Sequence, residues 1–185
     1  MMRFFLILIV FATIGCSEKT KPAENISVKT PDGNIPAQKL TLDPVPQTIE
    51  RVTGAELERL QSLSQLGPDF VSSYLPNEQK RDLKAYDRAF RAWQTCSSPS
   101  HTKDQVIQII GGYLGNKCAE DFKMEWVTVT DKFGTEYAVR SKTAEIMVFP
   151  FSTVMKRIED KEYDFLYGVY HALKETFDSG DYKTR

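Results

Sequence analysis

The side chains best suited to chemistry in this sequence are three cysteines and two histidines. Cys16 follows a short apolar run near the N-terminus, whereas Cys96 and Cys118 lie in the middle of the chain. A thiol can be acylated, bind a metal or form a disulfide, and the odd count suggests a separate role for one of the three. His101 and His171 lack the spacing of zinc ligands. The pattern therefore predicts no metal site and no cofactor.

The sequence also lacks a recognisable catalytic motif. No Gly-x-Ser-x-Gly elbow and no phosphate-binding Walker loop is present. Asp131, Arg140, Ser152 and His171 would support an enzyme only if folding brought them within hydrogen-bond reach of one another. Asp131 stands where a hairpin turn is expected, and Lys156-Arg157 is typical of a solvated helix face rather than an anion site. No catalytic residue is assigned.

Charge excludes one class of partner. The 185 residues include 24 Lys+Arg and 25 Asp+Glu, which gives a formal net charge of −1. A nucleic-acid-binding protein usually shows a strong basic excess. We therefore expect no nucleic acid partner, and the length suits one domain with appendages.

The first fifteen residues have the layout of an export signal. Arg3 supplies a positive charge, and Phe4–Ala12 is an unbroken apolar run. Such a run is too short to cross roughly 30 Å of hydrocarbon as a helix, but a charged start and a short apolar stretch are typical of a signal peptide. The alternative is a buried core segment, although the residues that follow offer it little to pack against.

The end of this run resembles the lipobox of bacterial lipoproteins. Ile14-Gly15-Cys16 matches its last three positions, while Thr13 stands where leucine is most usual. The resemblance implies that the Cys16 thiol carries a diacylglycerol, that residues 1–15 are removed and that the new amine is acylated. Because Ser17 rather than aspartate follows, it also implies an outer-membrane anchor facing the periplasm. A plain secreted protein is the alternative.

Residues 16–50 have the composition of a lipid-anchored flexible linker. Five prolines interrupt any helix, and apolar residues occur singly. A coil of this length has an end-to-end span of roughly 30–35 Å, which is long enough for a folded domain to stand off the bilayer. An ordered wrap over the domain remains an alternative, chiefly for Lys39–Pro46.

Residues 51–180 begin with three predicted helices. Thr53/Glu56 and Thr102/Gln105 are spaced as capping boxes for the first and third, and Leu66-Gly67-Pro68 marks the end of the first. The second carries the apolar stripe Leu83, Tyr86, Phe90 and Trp93. The third is nearly apolar all round and contains Gly111, Gly112 and Gly115, which we interpret as sites of close packing rather than a phosphate loop.

The pattern then changes to that of a sheet. Met124–Thr130, Thr135–Ser141 and Ala144–Phe149 have the composition of strands joined by short connections, which predicts a three-stranded antiparallel meander. Two C-terminal helices follow, with Ser152 and Asp164 as predicted N-caps. The fold class is α+β, in a single small domain.

This part of the chain resembles the uncharacterised bacterial family named domain of unknown function 3806. The resemblance covers about residues 80–175 and lies in three segments. They are Ile110-Gly-Gly-Tyr-Leu-Gly115, the pattern Trp126-x-x-Val129-x-Asp131-x-x-Gly134-Thr135, and Phe149-Pro-Phe-Ser-x-Val-x-Lys-Arg-Ile158. The resemblance supports the domain boundary, and because the family is uncharacterised it suggests no particular activity.

Cys96 and Cys118 remain once Cys16 is acylated. We expect them to pair, because thiols beyond the inner membrane usually form disulfides. One objection is geometric, since in a tight helical hairpin they would lie about 24 Å apart, and a bond needs Cα atoms within about 7 Å. An extended path from Cys96 to Thr102 would remove this objection.

These observations predict a non-enzymatic binding or structural module of the cell envelope. The alternatives are an enzyme acting on envelope polymers and an inhibitor or immunity-type partner. The expected partners are the membrane, through Cys16, and an envelope protein, peptide or glycan. Phe149-Pro150-Phe151 motivates a binding groove at the junction of sheet and helix, an idea that fails if the domain's own side chains fill the junction. Other aromatic residues considered for it are Tyr137, Tyr163, Phe165, Tyr167 and Tyr170.

Overall fold

The computed structural model describes residues 24–30, 33–39 and 45–180, together with 182 and 184. The chain divides into two units, Met1–Gln47 and Thr48–Arg185. In the first unit, β1 (Glu24–Thr30) and β2 (Gly33–Lys39) form an antiparallel hairpin. The tract with linker composition therefore contains a hairpin. The predicted signal peptide and Cys16 lie outside the described residues.

The second unit is a mixture of helices and one antiparallel sheet, as predicted. Its order is β3 (Thr48–Arg51), α1 (Gly54–Ser62), a 3₁₀ turn (Leu63–Leu66), α2 (Gly67–Tyr74), α3 (Leu83–Thr95), α4 (Lys103–Asp121), β4 (Glu125–Asp131), β5 (Gly134–Arg140), β6 (Met147–Val148), α5 (Pro150–Glu159) and α6 (Leu166–Ser179). Among the described residues, no helix is long and apolar enough to cross a membrane.

The sheet has four strands, so the prediction of three was wrong. Its order is β3-β4-β5-β6, with Thr48 opposite Thr130 and Asp131 opposite Gly134. The additional strand, β3, comes from the end of the tract interpreted as linker. The predicted third strand, Ala144–Phe149, shrinks to the two residues of β6, because only Val139 and Arg140 of β5 pair with it.

Helix α4 lies at the centre of the core. Val106, Ile110, Leu114 and Cys118 are fully buried along it. Its glycines are points of close approach, as interpreted: an added Cβ would lie 2.6 Å from Phe151 at Gly111, 2.4 Å from Leu63 at Gly112 and 2.3 Å from Trp126 at Gly115. The glycines let α5, the 3₁₀ turn and the sheet reach this helix.

Several helix boundaries differ from those expected. The Thr102/Gln105 capping box forms, but Thr53 makes no side-chain cap bond. Gly67-Pro68 begins α2, because proline is well tolerated in a first turn. Phe149 rather than Ser152 is the N-cap of α5, and Phe165 rather than Asp164 is that of α6.

Candidate functional site

The residues that an enzyme would need together are spread over the fold. The Asp131 carboxylate accepts the Phe133 backbone N–H at 2.7 Å, which confirms its interpretation as a turn residue. Arg140 lies on β5, Ser152 on α5 and His171 on α6, and Arg140 Nε is buried without a hydrogen-bond partner. No hydrogen bond or ion pair connects any two of these four side chains, all of which lie in the part of the chain that the structure describes.

Lys156 and Arg157 have the contacts of side chains at the surface of a helix. Lys156 is exposed on α5, and Arg157 forms an ion pair of 2.6 Å with Glu162. These contacts suit a solvated helix face. Within the described residues, no group of three or more His, Cys, Asp or Glu side chains is arranged to bind a metal ion.

The hypothesised groove at Phe149-Pro150-Phe151 is filled by the domain itself. Phe151 stacks on Trp126 with ring centroids 5.8 Å apart and packs against the backbone of Gly111. Pro150 is buried next to Gly115. The junction is therefore part of the core, and the hypothesis of a groove there was wrong.

Cys96 and Cys118 are both free cysteines in this structure, so the expected disulfide is not formed. Cys96 is the exposed C-cap of α3, whereas Cys118 is buried in α4. Cys118 lies near the C-terminal end of α4. This position agrees with the geometric objection to a disulfide that the sequence analysis raised. Burial raises the pKa of the Cys118 thiol to about 12, so it stays protonated and unreactive at neutral pH.

An exposed cluster of polar and aromatic side chains lies on the outer side of α6. It consists of Lys84 from α3 with Tyr167 and His171 from α6, and we call it the α6 surface cluster. The Lys84 ammonium lies 4.4 Å from the centroid of the Tyr167 ring, and the His171 ring lies 4.0 Å from that ring. Tyr167 is 39% exposed. A cation, a phenol and an imidazole are therefore gathered at one point of the surface.

A buried carboxylate positions this cluster. Asp87, on α3, is 4% exposed, and it accepts the backbone N–H groups of Phe165, Leu166 and Tyr167 at 3.1, 2.9 and 3.0 Å. These N–H groups at the start of α6 would otherwise lack partners. Burial raises the pKa of Asp87, and the three N–H groups partly offset that rise. Because Asp87 fixes both helices, Lys84 and Tyr167 are held in contact.

Further aromatic side chains continue the surface along α6. The Tyr170 hydroxyl donates to Asp121 at 2.6 Å, and Lys117 forms an ion pair with the same carboxylate at 2.7 Å. Burial and this hydrogen bond raise the pKa of Tyr170 to about 12, so it remains a donor. Phe122 packs against Tyr170, with ring centroids 5.1 Å apart. Sugar rings and peptides are commonly recognised by such combinations of aromatic faces and polar tips.

Sequence reasoning named Tyr167 and His171 separately, one as an aromatic candidate for the groove and the other as a possible catalytic residue, and did not predict this surface. Tyr167 and His171 are four residues apart on one helix, so their side chains share a face. Lys84 lies on a different helix, α3. No periodicity could indicate its contact with Tyr167, because the Asp87 bonds that create it join residues distant in sequence.

A second polar cluster, Tyr74-Ser100-His101, fastens the loop before α4. The Tyr74 hydroxyl lies 3.1 Å from Ser100 Oγ and 3.2 Å from His101 Nδ1, and Ser100 Oγ lies 3.1 Å from the same nitrogen. Trp93 donates its indole N–H to the His101 carbonyl at 2.9 Å. These mutual bonds tie the end of α2 and α3 to the start of α4.

Comparison with known proteins finds a family model that matches part of the chain. Residues 91–170 match the family model described as Domain of unknown function (DUF3806). The match runs from within α3 to within α6 and agrees with the resemblance found in the sequence. No curated protein and no solved structure gives a significant match to the chain.

Proposed function

We propose that this chain is a lipid-anchored protein of a bacterial cell envelope whose folded unit is a non-enzymatic binding or structural module. The observation that carries the proposal is Ile14-Gly15-Cys16 directly after the charged and apolar start of the chain. Acylation of Cys16 would place several acyl chains in the bilayer, and each buried CH₂ contributes about 0.8 kcal/mol. Ser17 favours the outer membrane, with the domain facing the periplasm.

The position of the folded unit fits a tethered module. That unit begins at Thr48, so the tract from Ser17 to Gln47 separates the anchor from the domain. The module would meet its partner through the α6 surface cluster, since Lys84 and Tyr167 are exposed and His171 is partly exposed. The partner class is an envelope peptide or glycan.

Fatty-acid labelling tests the anchor. Cells that express the full chain are fed an alkyne fatty acid, and the wild-type protein is expected to carry the label. Cys16→Ala should abolish labelling and leave an unprocessed chain. Cys96→Ala is the matched control, because it removes an exposed cysteine outside the lipobox and should be labelled like the wild type. Unlabelled, fully processed wild-type protein would overturn the proposal.

Co-sedimentation tests the binding surface. Purified peptidoglycan offers both peptide and glycan, and we expect it to pellet the protein with at least a tenfold loss of affinity for Tyr167→Ala and His171→Ala. Met155→Ala, which changes an exposed side chain on α5, should bind normally. Equal binding by all three variants would exclude this surface.

A further inference from the structure

The β4–β5 hairpin ends in an exposed aromatic residue. Phe133 is 59% exposed, more than any other exposed large apolar side chain of the described residues. The neighbouring Lys132 ammonium lies 5.3 Å from its ring centroid. Phenylalanine on the buried side and lysine on the polar side are typical of protein segments that lie in a membrane interface.

The tip that carries Phe133 is a well-defined turn. The Asp131 carboxylate accepts the Phe133 N–H at 2.7 Å, and the hydroxyls of Thr130 and Thr135 share a hydrogen bond of 2.8 Å across the strands. Gly134 has a φ of 138°, which only glycine adopts readily. The exposure of Phe133 is therefore fixed by its turn.

The chain enters the folded unit beside this tip. Thr48, the first residue of β3, pairs with Thr130, and Asp131 opposite Gly134 closes the hairpin one position further on. Neighbouring strands lie about 4.8 Å apart. An anchor on the preceding segment is therefore connected to the end of the sheet that presents Lys132 and Phe133.

We propose that Lys132 and Phe133 form a second contact with the lipid surface, with the Phe133 ring in the interface of the bilayer to which the chain is anchored. This inference rests on the proposed function, because one aromatic ring binds weakly by itself and needs the high local concentration that a tether supplies. The ring enters the interface while the Lys132 ammonium stays at the headgroups. The domain then has a fixed orientation, with the hairpin tip toward the membrane.

Fluorescence quenching tests this orientation. The chain from Ser17 onward carries an N-terminal hexahistidine tag and is bound to phosphatidylethanolamine–phosphatidylglycerol vesicles through a nickel-chelating lipid, so attachment does not depend on acylation. Phe133→Trp reports on the tip, and lipids with brominated acyl chains quench a tryptophan that reaches them. The native Trp93 and Trp126 are buried and give a constant background, measured on the unsubstituted chain.

We expect the added tryptophan in Phe133→Trp to shift to shorter wavelength and to lose most of its emission on brominated vesicles. The matched control is Tyr167→Trp, at an exposed position on α6, whose emission should be unchanged. Circular dichroism verifies that both variants fold. No quenching of Phe133→Trp, or equal quenching of both variants, would overturn the inference. Because attachment is artificial, this failure is distinct from a failure of Cys16 labelling.

Discussion

Glu56 shows how tertiary contacts change the hydrogen-bond partners of a side chain from those that the sequence predicts. The sequence places it as the capping-box partner of Thr53, but the structure turns it toward Arg59 and Tyr137. Arg59 donates to both carboxylate oxygens, and its guanidinium lies 5.7 Å from the Tyr137 ring centroid. Hydrogen bonds from Arg59 and then from Tyr137 lower the pKa of Glu56 to about 2. The tertiary partner, Tyr137, lies on β5, and no local pattern could predict it.

This arrangement predicts a pH dependence. A lowered pKa in the folded state means that the contribution of Glu56 to stability is present above its ordinary pKa of 4.5 and is lost as the pH falls toward 2. Arg59→Ala should return the pKa most of the way to its ordinary value, and Tyr137→Phe should do so in part. Carboxyl ¹³C NMR titration measures each change. An unshifted Glu56 in the wild-type protein would contradict the described contacts.

The two central cysteines make a second prediction at this scale. Because Cys96 is exposed and Cys118 is buried, a thiol reagent at pH 8 should modify Cys96 quickly and Cys118 only after unfolding. Cys96→Ser should abolish the fast reaction, and Cys118→Ser should leave it unchanged. Mass spectrometry of the alkylated protein gives the sites. If neither thiol reacted before reduction, the protein would contain the disulfide that the sequence suggested.

At the scale of elements, periodicity predicted what depends on neighbours in sequence. The apolar stripe of α3, the capping box of α4 and the β4–β5 hairpin all arise from local spacing, and all are present. The N-terminal cap of α6 and the strand β3 were missed for a different reason. Asp87 caps α6 from another helix, and β3 has the composition of a linker, with stability that comes from pairing with β4. The contact between Lys84 and Tyr167 was missed for the same reason, because the Asp87 bonds that hold α3 against α6 join residues distant in sequence.

Helix α4 supplies a prediction about packing. Gly115→Ala should destabilise the fold by about 1–3 kcal/mol, because overpacking displaces neighbours, and the new methyl group would lie 2.3 Å from the Trp126 ring. Gly168→Ala is the matched control on α6, where nothing lies within 4 Å of the added Cβ. It should stabilise the protein by about 0.5–1 kcal/mol through helix propensity alone. Urea unfolding measures both changes, and a neutral Gly115→Ala would argue against the close contact.

At the scale of the whole molecule, the family match and the folding unit have different limits. The match over residues 91–170 begins inside α3 and ends inside α6. The core of the unit also needs Leu60, Leu63 and Phe70, which are buried and lie before the match, and Leu63 packs on Gly112 of α4. Thr48–Arg185 forms one compact unit that includes this core, and the segment that matches the family is only part of it.

The boundary at Thr48 gives the last prediction. A chain that starts at Val45 should unfold in one cooperative transition, whereas one that starts at Val52 lacks β3 and should be less stable by about 2–4 kcal/mol. The estimate combines several lost hydrogen bonds between β3 and β4 with the exposure of apolar surface.

The apolar part of this loss comes mainly from Ile49, which packs against the cluster of Val127, Val129 and Ala138. Ile49→Ala in the longer chain isolates that part and should cost about 1 kcal/mol. Thermal and urea unfolding of the three proteins would decide the matter, since equal stability of the two truncated chains would mean that β3 does not belong to the folding unit.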